Sequence, residues 1–160
     1  MPGLSDIKGE IHILVFTIDE QQFALPLTNV LRVVSAVEIR FLPRAPEVIA
    51  GIINVRGKIV PVIDIRKKLG LPAKETALED RLIIANTAKR EVAIMADNVP
   101  GLRTISPSQQ VWPQEARHLA QYLQGVVTTD DGLILIYDLD KFLDLGEEME
   151  LENAMKHQRK

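Results

Sequence analysis

The chain has 160 residues, 46% of them hydrophobic, and a formal net charge of −3. This length allows one domain or two small fused subdomains with a substantial core, and the apolar content excludes a disordered chain. The acidic balance excludes a broad cationic surface for nucleic acid or acidic lipid, and the absence of cysteine excludes disulfides, thiolate metal sites and a thiol nucleophile.

No segment of the sequence has the pattern of a membrane span or a secretion signal. The first ten residues contain no apolar core of a signal peptide. No run approaches the roughly 20 apolar residues that a helix needs to cross a bilayer. We therefore expect a soluble cytoplasmic protein.

β-branched and aromatic segments dominate the first part of the chain. Residues 11–18 and 23–27 flank the polar segment 19–22, a pattern that predicts a hairpin. The valines between residues 30 and 37 fit a helical turn and a bulged strand equally well. Pro46, near the start of residues 46–50, favours a single helical turn.

Residues 45–70, APEVIAGIINVRGKIVPVIDIRKKLG, contain two apolar runs that flank a polar connection. Their β-branched composition predicts two short strands joined by a tight turn in which Gly57 takes a positive φ. Pro61 confines its position to a sheet edge or a bulge, because proline has no N–H to donate. Asn54 and Arg56 are thereby held at a turn on a rigid support, as binding groups often are.

The second half of the chain shows the same alternation of strands and turns. Residues 82–95 predict a hairpin and residues 97–101 a turn. Residues 106–124 are an insertion between strands, and residues 113–123 within it are compatible with a helix. Asp130-Asp131-Gly132 marks a further hairpin turn. The tail beyond Gly146 predicts a weak solvated helix, in which Glu148, Glu152 and Lys156 follow one another at intervals of four.

The two halves of the chain are related by an internal repeat. Residues 125–143 align without gaps onto residues 51–69, so that Asp138 falls on Asp64. Each copy of this β unit is too small for a sandwich but sufficient for a closed barrel. We expect one barrel half at about 12–78, a second at 79–145 and a tail at 146–160, with the freedom to exchange strands.

The motif in residues 45–70 resembles the signature stretch of the CheW family, the adaptors that join bacterial chemoreceptors to the histidine kinase CheA. The resemblance extends over about residues 12–145. It implies an all-β fold of two small SH3-like five-stranded β-barrels packed together, with short helices in the connections. It also implies no catalysis, no cofactor, and recruitment to membrane-associated receptor arrays by a receptor cytoplasmic tip and a CheA-type kinase regulatory domain.

In CheW proteins the receptor-binding groove lies between the two barrels. Carried onto this sequence, the resemblance assigns that groove to Val30, Arg32, Gly51, Arg56, Leu82, Ile83 and Leu102, and we add Asn54 because it shares the predicted turn with Arg56. The kinase-contact residues are not assigned.

One position departs from the family pattern. Family members typically carry a glutamate at the position of Arg32, where it can pair with the arginine that corresponds to Arg56. Here both side chains are cationic, so Glu38, Glu47 or the partner must supply the counter-charge. The departure is compatible with a chemosensory paralogue, such as an adaptor of pilus motility.

Several residues have two interpretations. Arg56 either binds a partner or forms an intramolecular ion pair. Trp112 is either a core residue or an exposed anchor. The cluster Arg66 to Lys68 predicts a solvated face, which could also contact an acidic partner.

Two other functions are possible alternatives to an adaptor. Asp64 and Asp138 could form a carboxylate dyad of a hydrolase, but Ile65 and Leu139 stand where such dyads have a hydroxyl residue and glycine, which favours a structural role. A nucleic-acid-binding SH3-like barrel is disfavoured by the acidic charge and the few aromatic residues. The three histidines, His12, His118 and His157, lack the spacing of metal ligands, so we expect no metal site.

Overall fold

The computed structural model describes residues 9–35, 37–75, 77 and 79–158. The strands in this part of the chain are β1 (Ile11–Ile18), β2 (Gln21–Pro26), β3 (Val30–Ser35), β4 (Ile49–Val55), β5 (Lys58–Ile63), β6 (Arg81–Asn86), β7 (Glu91–Ala96), β8 (Asn98–Ile105), β9 (Gln110–Val111), β10 (Leu123–Thr129) and β11 (Gly132–Tyr137). The α-helices are α1 (Ile65–Leu69) and α2 (Leu145–Gln158). Short 3-10 helices occupy Leu27–Asn29, Pro107–Gln109, Gln114–Tyr122 and Leu139–Lys141.

The strands form two mixed sheets, with the orders β8-β1-β2-β11-β10-β9 and β3-β6-β7-β5-β4. In the five-stranded sheet, Val34 of β3 packs against the same hydrophobic cluster as Ile53 of β4, although these strands are at opposite edges. The six-stranded sheet likewise encloses a cluster that contains Ile105 of β8 and Val127 of β10. Sheets whose outer strands share one core are curled as in small barrels. The predicted all-β fold of two SH3-like barrels is confirmed, and the two-residue strand β9 gives one sheet a sixth member.

The compact units of the fold combine segments from both halves of the sequence repeat. The first unit contains the described residues up to Val30 and Ala96–Phe142. The second unit contains Leu31–Met95 and the described residues from Leu143 onward. In the first unit β2 runs parallel to β11, and in the second β5 runs parallel to β7. Each sheet is therefore completed by a hairpin from the other half of the chain.

The sequence repeat is also a repeat of local structure. Residues 51–69 and 125–143 both form the end of a strand, a tight turn, a second strand and a helical turn. β4 and β10 shift register at the same place, beside Gly51 and Gly125. Val62 and Ile136, which are equivalent in this repeat, also make the parallel pairs: Val62 lies opposite Ala93, and Ile136 lies opposite Ala24.

The segment between β2 and β4 resolves one ambiguity and corrects one prediction. The valine-rich stretch after Asn29 is the strand β3 rather than a helical turn. Residues 46–50 do not form the predicted helical turn: Ile49 N donates to Pro46 O at 2.9 Å, and β4 begins at Ile49. A single bond between residues three apart closes a β-turn, and strand pairing then takes over the backbone.

Two prolines lie inside strands where the ladder tolerates them. The predicted turn at residues 97–101 is wrong beyond Asp97, because β8 begins at Asn98 and runs through Pro100. β8 is an edge strand, and its register with β1 shifts between Val15 and Thr17. β5 has neighbours on both sides, but its pairing with β7 begins only at Val62, so Pro61 has β4 alone beside it.

The C-terminal segment is not the weak solvated helix that we predicted. Its helix α2 buries Leu151, Ala154 and Met155. The carboxylates of Glu148 and Glu152 both accept from Arg90 Nη2, at 3.2 and 2.8 Å. Tertiary packing therefore stabilises this helix. The spacing of its charged residues did not predict that packing.

The exchange of hairpins predicts that neither half of the chain folds alone. A fragment of residues 1–78 contains β1 to β5 but lacks β6, β7 and β11, so both of its sheets would be interrupted. We expect this fragment to show a disordered circular dichroism spectrum, and mixing with residues 79–160 to restore the strand signal. A cooperatively folded isolated half would contradict the exchange.

Candidate protein-binding site

The turn between β4 and β5 has a conformation that few residues adopt. Val55 pairs with Lys58, so Arg56 and Gly57 form a two-residue loop, and both have positive φ, 53° and 85°. This is the geometry of a type I′ hairpin, whose twist matches that of the strands. The predicted positive φ at Gly57 is confirmed.

Asn54 holds this turn closed. Its Oδ1 accepts a hydrogen bond from Gly57 N at 2.8 Å. An asparagine side chain commonly closes turns in this way. The role of Asn54 seen in the structure is thus to position its neighbour Arg56.

Arg56 is exposed at the tip of the hairpin. Throughout the described residues its side chain has no ion pair and no hydrogen bond, so the alternative of an intramolecular ion pair finds no support. A left-handed conformation costs a residue with a β-carbon roughly 1–2 kcal/mol. Arginine is therefore a strained choice at this position, and its guanidinium is available to a partner.

Strand β3 presents a mixed surface in the same unit. Its burial alternates, with Leu31 42% and Val33 39% exposed, whereas Arg32 and Val34 are half-buried. The Arg32 Nη1 atom is buried and has no hydrogen-bond partner in the described part of the chain. The exposed pair Leu31 and Val33 was missed from the sequence, although reading the valine-rich segment as a strand would have separated its two faces.

Other predicted site residues are inside the protein. Leu82 and Ile83 are buried, and Leu82 belongs to the hydrophobic cluster of the second unit. Gly51 is also buried, and an added β-carbon would lie 2.3 Å from the carbonyl oxygen of Arg40. The side chains of Leu82 and Ile83 serve packing, and Gly51 permits the close approach of the Arg40 backbone. The assignment of these three residues to a receptor groove stays a prediction.

Val30 and Leu102 belong to the first unit. Val30 begins β3 and is half-buried, and Leu102 on the edge strand β8 is 67% exposed. Trp112, for which the sequence left two interpretations, is partly exposed. Leu102 is thus at the surface, in contrast to Leu82 and Ile83.

The proposed substitutes for the missing glutamate do not pair with the arginines. Glu38 and Glu47 are both exposed. Among the described residues, neither forms an ion pair with Arg32 or Arg56. Neither cation therefore has a counter-ion in this part of the structure.

The basic cluster after β5 differs from the solvated face that we predicted. Arg66 is buried and donates from Nη1 to the Pro72 carbonyl oxygen at 3.3 Å. Lys68 forms an ion pair with Glu147 of α2. These residues line a cavity of about 440 Å³ in the second unit. Only Lys67 of the three is fully exposed, because tertiary partners take up the other two cations.

Asp64 and Asp138 cap helical turns and are not a dyad. Asp64 Oδ1 accepts from Arg66 N, and Asp138 Oδ1 accepts from Asp140 N, both at 3.1 Å. The two residues belong to different units. The structural interpretation of both aspartates is confirmed, since each carboxylate is used by its own backbone.

The described residues contain neither a metal-binding cluster nor a membrane-spanning helix. No group of three or more histidine, aspartate or glutamate side chains there could hold a metal ion. No helix among them is sufficiently long and apolar to cross a membrane.

The model of the CheW-like domain matches residues 12–147. The chain belongs to the CheW-like family. The chemotaxis protein CheW of Thermotoga maritima is 32% identical over 144 residues, which cover 90% of this chain and 95% of that protein. Protein FrzA of Myxococcus xanthus is 31% identical over 122 residues, or 75% of this chain and 76% of that protein.

A solved structure supports the same assignment. The scaffolding protein TtCheW from Thermoanaerobacter tengcongensis matches with a TM-score of 0.78 and 30% identity, over 87% of this chain and 96% of that one. CheW-like proteins are non-catalytic adaptors, and this member of the family is not an enzyme. The resemblance noted in residues 45–70 is confirmed.

The close approach at Gly51 predicts a large loss of stability for Gly51→Ala. The new β-carbon would collide with the Arg40 backbone, which pairs with Ile52 through bonds of 2.8 and 2.9 Å. We expect a loss of about 2–4 kcal/mol in the free energy of unfolding in urea. Gly57→Ala is the matched control: no atom lies within 4 Å, so only the strain of its positive φ of 85° remains. Equal losses for the two variants would contradict the steric role of Gly51.

Burial of Asp138 predicts a pH-dependent effect of Asp138→Asn. The side chain is 2% exposed, and this burial raises its pKa in the folded protein. A raised folded-state pKa means that the folded state holds the proton more tightly, so stability is lost as the pH rises through that value. Asparagine keeps the cap without the charge. We therefore expect Asp138→Asn to gain stability relative to the wild type between about pH 3.5 and pH 7.

The measurement is urea unfolding of both proteins across that pH range. Asp64→Asn, at the equivalent cap, serves as the control for replacing a capping carboxylate by an amide. Parallel pH profiles for the wild type and Asp138→Asn would contradict the prediction.

Proposed function

We propose that this chain couples chemoreceptors to a CheA-type histidine kinase, holding the cytoplasmic tip of the receptor with one surface and the regulatory domain of the kinase with another. The observation that carries the proposal is the match of the CheW-like domain to residues 12–147, supported by relatives named chemotaxis protein CheW and by the fold of a CheW scaffolding protein. A chemotaxis adaptor is the function that these relatives share.

The receptor contact centres on Arg56. A rigid two-residue turn presents its guanidinium, which has five donors in a planar fork and can bind a carboxylate or the carbonyl groups at a helix end. Exposed apolar side chains in the same unit, Leu31 and Val33, provide contact area for the apolar stripe of a helix. Helix partners commonly combine such an apolar stripe with flanking polar contacts.

In this proposal the chain holds its partners in position relative to one another and catalyses no reaction. A receptor that changes its packing on binding a ligand alters the relative stability of kinase arrangements held by the adaptor. The adaptor transmits the signal only to the extent that its own affinity differs between these arrangements. Binding to receptor tips would also place the chain at membrane-associated arrays.

The test is capture of two purified partners by the full chain. We expect the wild type to retain both a chemoreceptor tip fragment and a CheA regulatory domain, whereas Arg56→Glu loses receptor affinity at least about tenfold because a charge-assisted contact becomes repulsive. Kinase capture by Arg56→Glu is expected to be unchanged. Isothermal titration calorimetry measures both affinities.

Two control variants separate charge from structure. Arg56→Gly removes the guanidinium and relieves the strained φ, so it should raise the free energy of unfolding by about 1 kcal/mol while weakening receptor binding. Lys89→Glu, an exposed reversal of the same charge in the turn between β6 and β7, should leave both affinities unchanged. Capture of neither partner by the wild type would refute the adaptor function, and undiminished receptor binding by Arg56→Glu would refute the site.

A further inference from the structure

The cavity of about 440 Å³ in the second unit is lined in part by α1. Its lining includes buried residues, with Val48 3% and Arg66 8% exposed. It also includes exposed residues, among them Glu47 and Lys67, so the cavity is open to solvent. One water occupies about 30 Å³, and small-molecule sites have volumes of about 300–1,000 Å³. The size of this cavity is therefore that of a ligand site.

The residues that line this cavity carry more positive than negative charge. They include three consecutive cations of α1, Arg66 to Lys68, and two carboxylates, Glu47 and Glu147. Basic residues are favourable in the last turn of a helix, where carbonyl groups lack partners. The end of α1 thus accounts for basic residues at these positions of the sequence, but it does not account for a cavity beside them.

Glu147 is already engaged with other groups of the protein. Its Oε1 atom accepts hydrogen bonds from Lys68 Nζ and from Asp144 N, the latter at 3.0 Å. Glu147 N in turn donates to Asp144 Oδ1 at 2.8 Å, which makes a capping box at the start of α2. Lys68 and Glu147 therefore neutralise each other at the wall of the cavity.

The other charged groups of the lining favour an anion. Lys67 is exposed and forms no ion pair with the described residues. Arg66 donates from Nη1 to the carbonyl oxygen of Pro72 at 3.3 Å, and its guanidinium keeps its charge when buried. Glu47 is the one carboxylate that opposes these two cations. A lining with an excess of positive charge attracts a negatively charged ligand.

We propose that this cavity binds a small organic anion, a carboxylate or a phosphate ester, with its charged group at Arg66 and Lys67. Guanidinium and ammonium groups donate strong hydrogen bonds to both kinds of anion. An inorganic ion would leave most of the cavity unfilled, whereas a carbon skeleton can lie against Val48 and the half-buried Leu71. The inference is independent of the proposed function, because none of these residues belongs to the predicted receptor contact.

Binding of the anion would also be detected at α2. A negative charge close to Lys68 competes with Glu147 for the ammonium group, and Glu147 is part of the cap of α2. The backbone amides of residues 66–71 and 144–148 are therefore expected to change their environment together.

The experiment is a titration of the full, isotope-labelled chain followed by NMR spectroscopy at low ionic strength, because salt screens exposed charges. The probes are glycerol 3-phosphate and succinate, with glycerol and succinamide as uncharged controls of similar skeleton. We expect saturable shifts of the amides in 66–71 and 144–148 with both anions and none with the controls. The anion with the higher affinity identifies the preferred charged group. If neither anion gives saturable shifts, or if the shifts lie in other residues, the inference is overturned.

Inorganic phosphate tests the contribution of the carbon skeleton. It carries the charge but has no part that can contact the apolar lining, so we expect it to bind more weakly than glycerol 3-phosphate. Equal affinity for the two would overturn the assignment of an organic ligand.

Two variants of exposed residues test the charges of the lining. Lys67→Gln should weaken anion binding about threefold, and Glu47→Gln should strengthen it by a similar factor, the size expected for one exposed charge contact. Lys89→Gln and Glu38→Gln make the same changes in net charge at exposed positions that are not among the residues lining the cavity, so both should leave the affinity unchanged. Equal affinities of the wild type, Lys67→Gln and Glu47→Gln would place the anion elsewhere and overturn the inference.

A third variant tests the buried cation. Arg66→Gln should weaken anion binding at least about tenfold, the size expected for a charged hydrogen bond. Its melting temperature is measured in parallel, because Arg66 is buried and its replacement also affects the fold. If Arg66→Gln does not fold, the variants at Lys67 and Glu47 decide the test. A folded Arg66→Gln variant with the affinity of the wild type would contradict the proposed position of the charged group.

Discussion

The fold depends on two parallel strand pairs that join opposite halves of the chain. β2 runs beside β11 in the first unit and β5 runs beside β7 in the second, with equivalent residues in register. A parallel pair requires a long connection between its two strands, and here the two strands of each pair come from different halves of the chain. The hairpin β1–β2 therefore completes a sheet whose other strands come from the second half of the chain. The hairpin β6–β7 completes a sheet whose other strands come from the first half. Ladder bonds and a shared core make each unit dependent on residues far apart in sequence.

This dependence explains how the strained turn between β4 and β5 is maintained. Arg56 has a positive φ at the tip of a hairpin, where glycine or asparagine would be more stable. The strands on either side are held by the sheet and by the cluster around Ile53, Val60 and Leu82. Asn54 then ties the turn to its own strand. Strain of roughly 1–2 kcal/mol is small beside the stability of a packed sheet, so the site persists.

Arg32 and Arg56 are two cations of the second unit that have no counter-ion among the described residues. Arg32 occupies a position of β3 whose inward direction is set by alternation, and neither its charge nor its unpaired Nη1 disturbs the strand. Two other cations of the second unit have acidic partners: Arg90 binds Glu148 and Glu152, and Lys68 binds Glu147. Arg32 and Arg56 differ from these two cations in having no acid beside them in the described ranges. Charge complementarity of this kind affects the choice of partner more than the affinity of a contact.

Local chemistry made much of this protein predictable from its sequence. The hairpins at 11–27, 82–95 and 130–132, the positive φ of Gly57 and the structural role of Asp64 and Asp138 all depend on residues close to one another in the chain. The sequence did not predict which side chains are buried by residues distant in the chain. The resemblance assigned Leu82 and Ile83 to the receptor groove, and the structure places both in the core. Pro100 was expected in a turn and lies in an edge strand, and α2 was expected to be solvated and packs through Leu151. The reason is physical: turn and strand preferences act over a few residues, whereas the exposure of a side chain depends on which distant strand covers it.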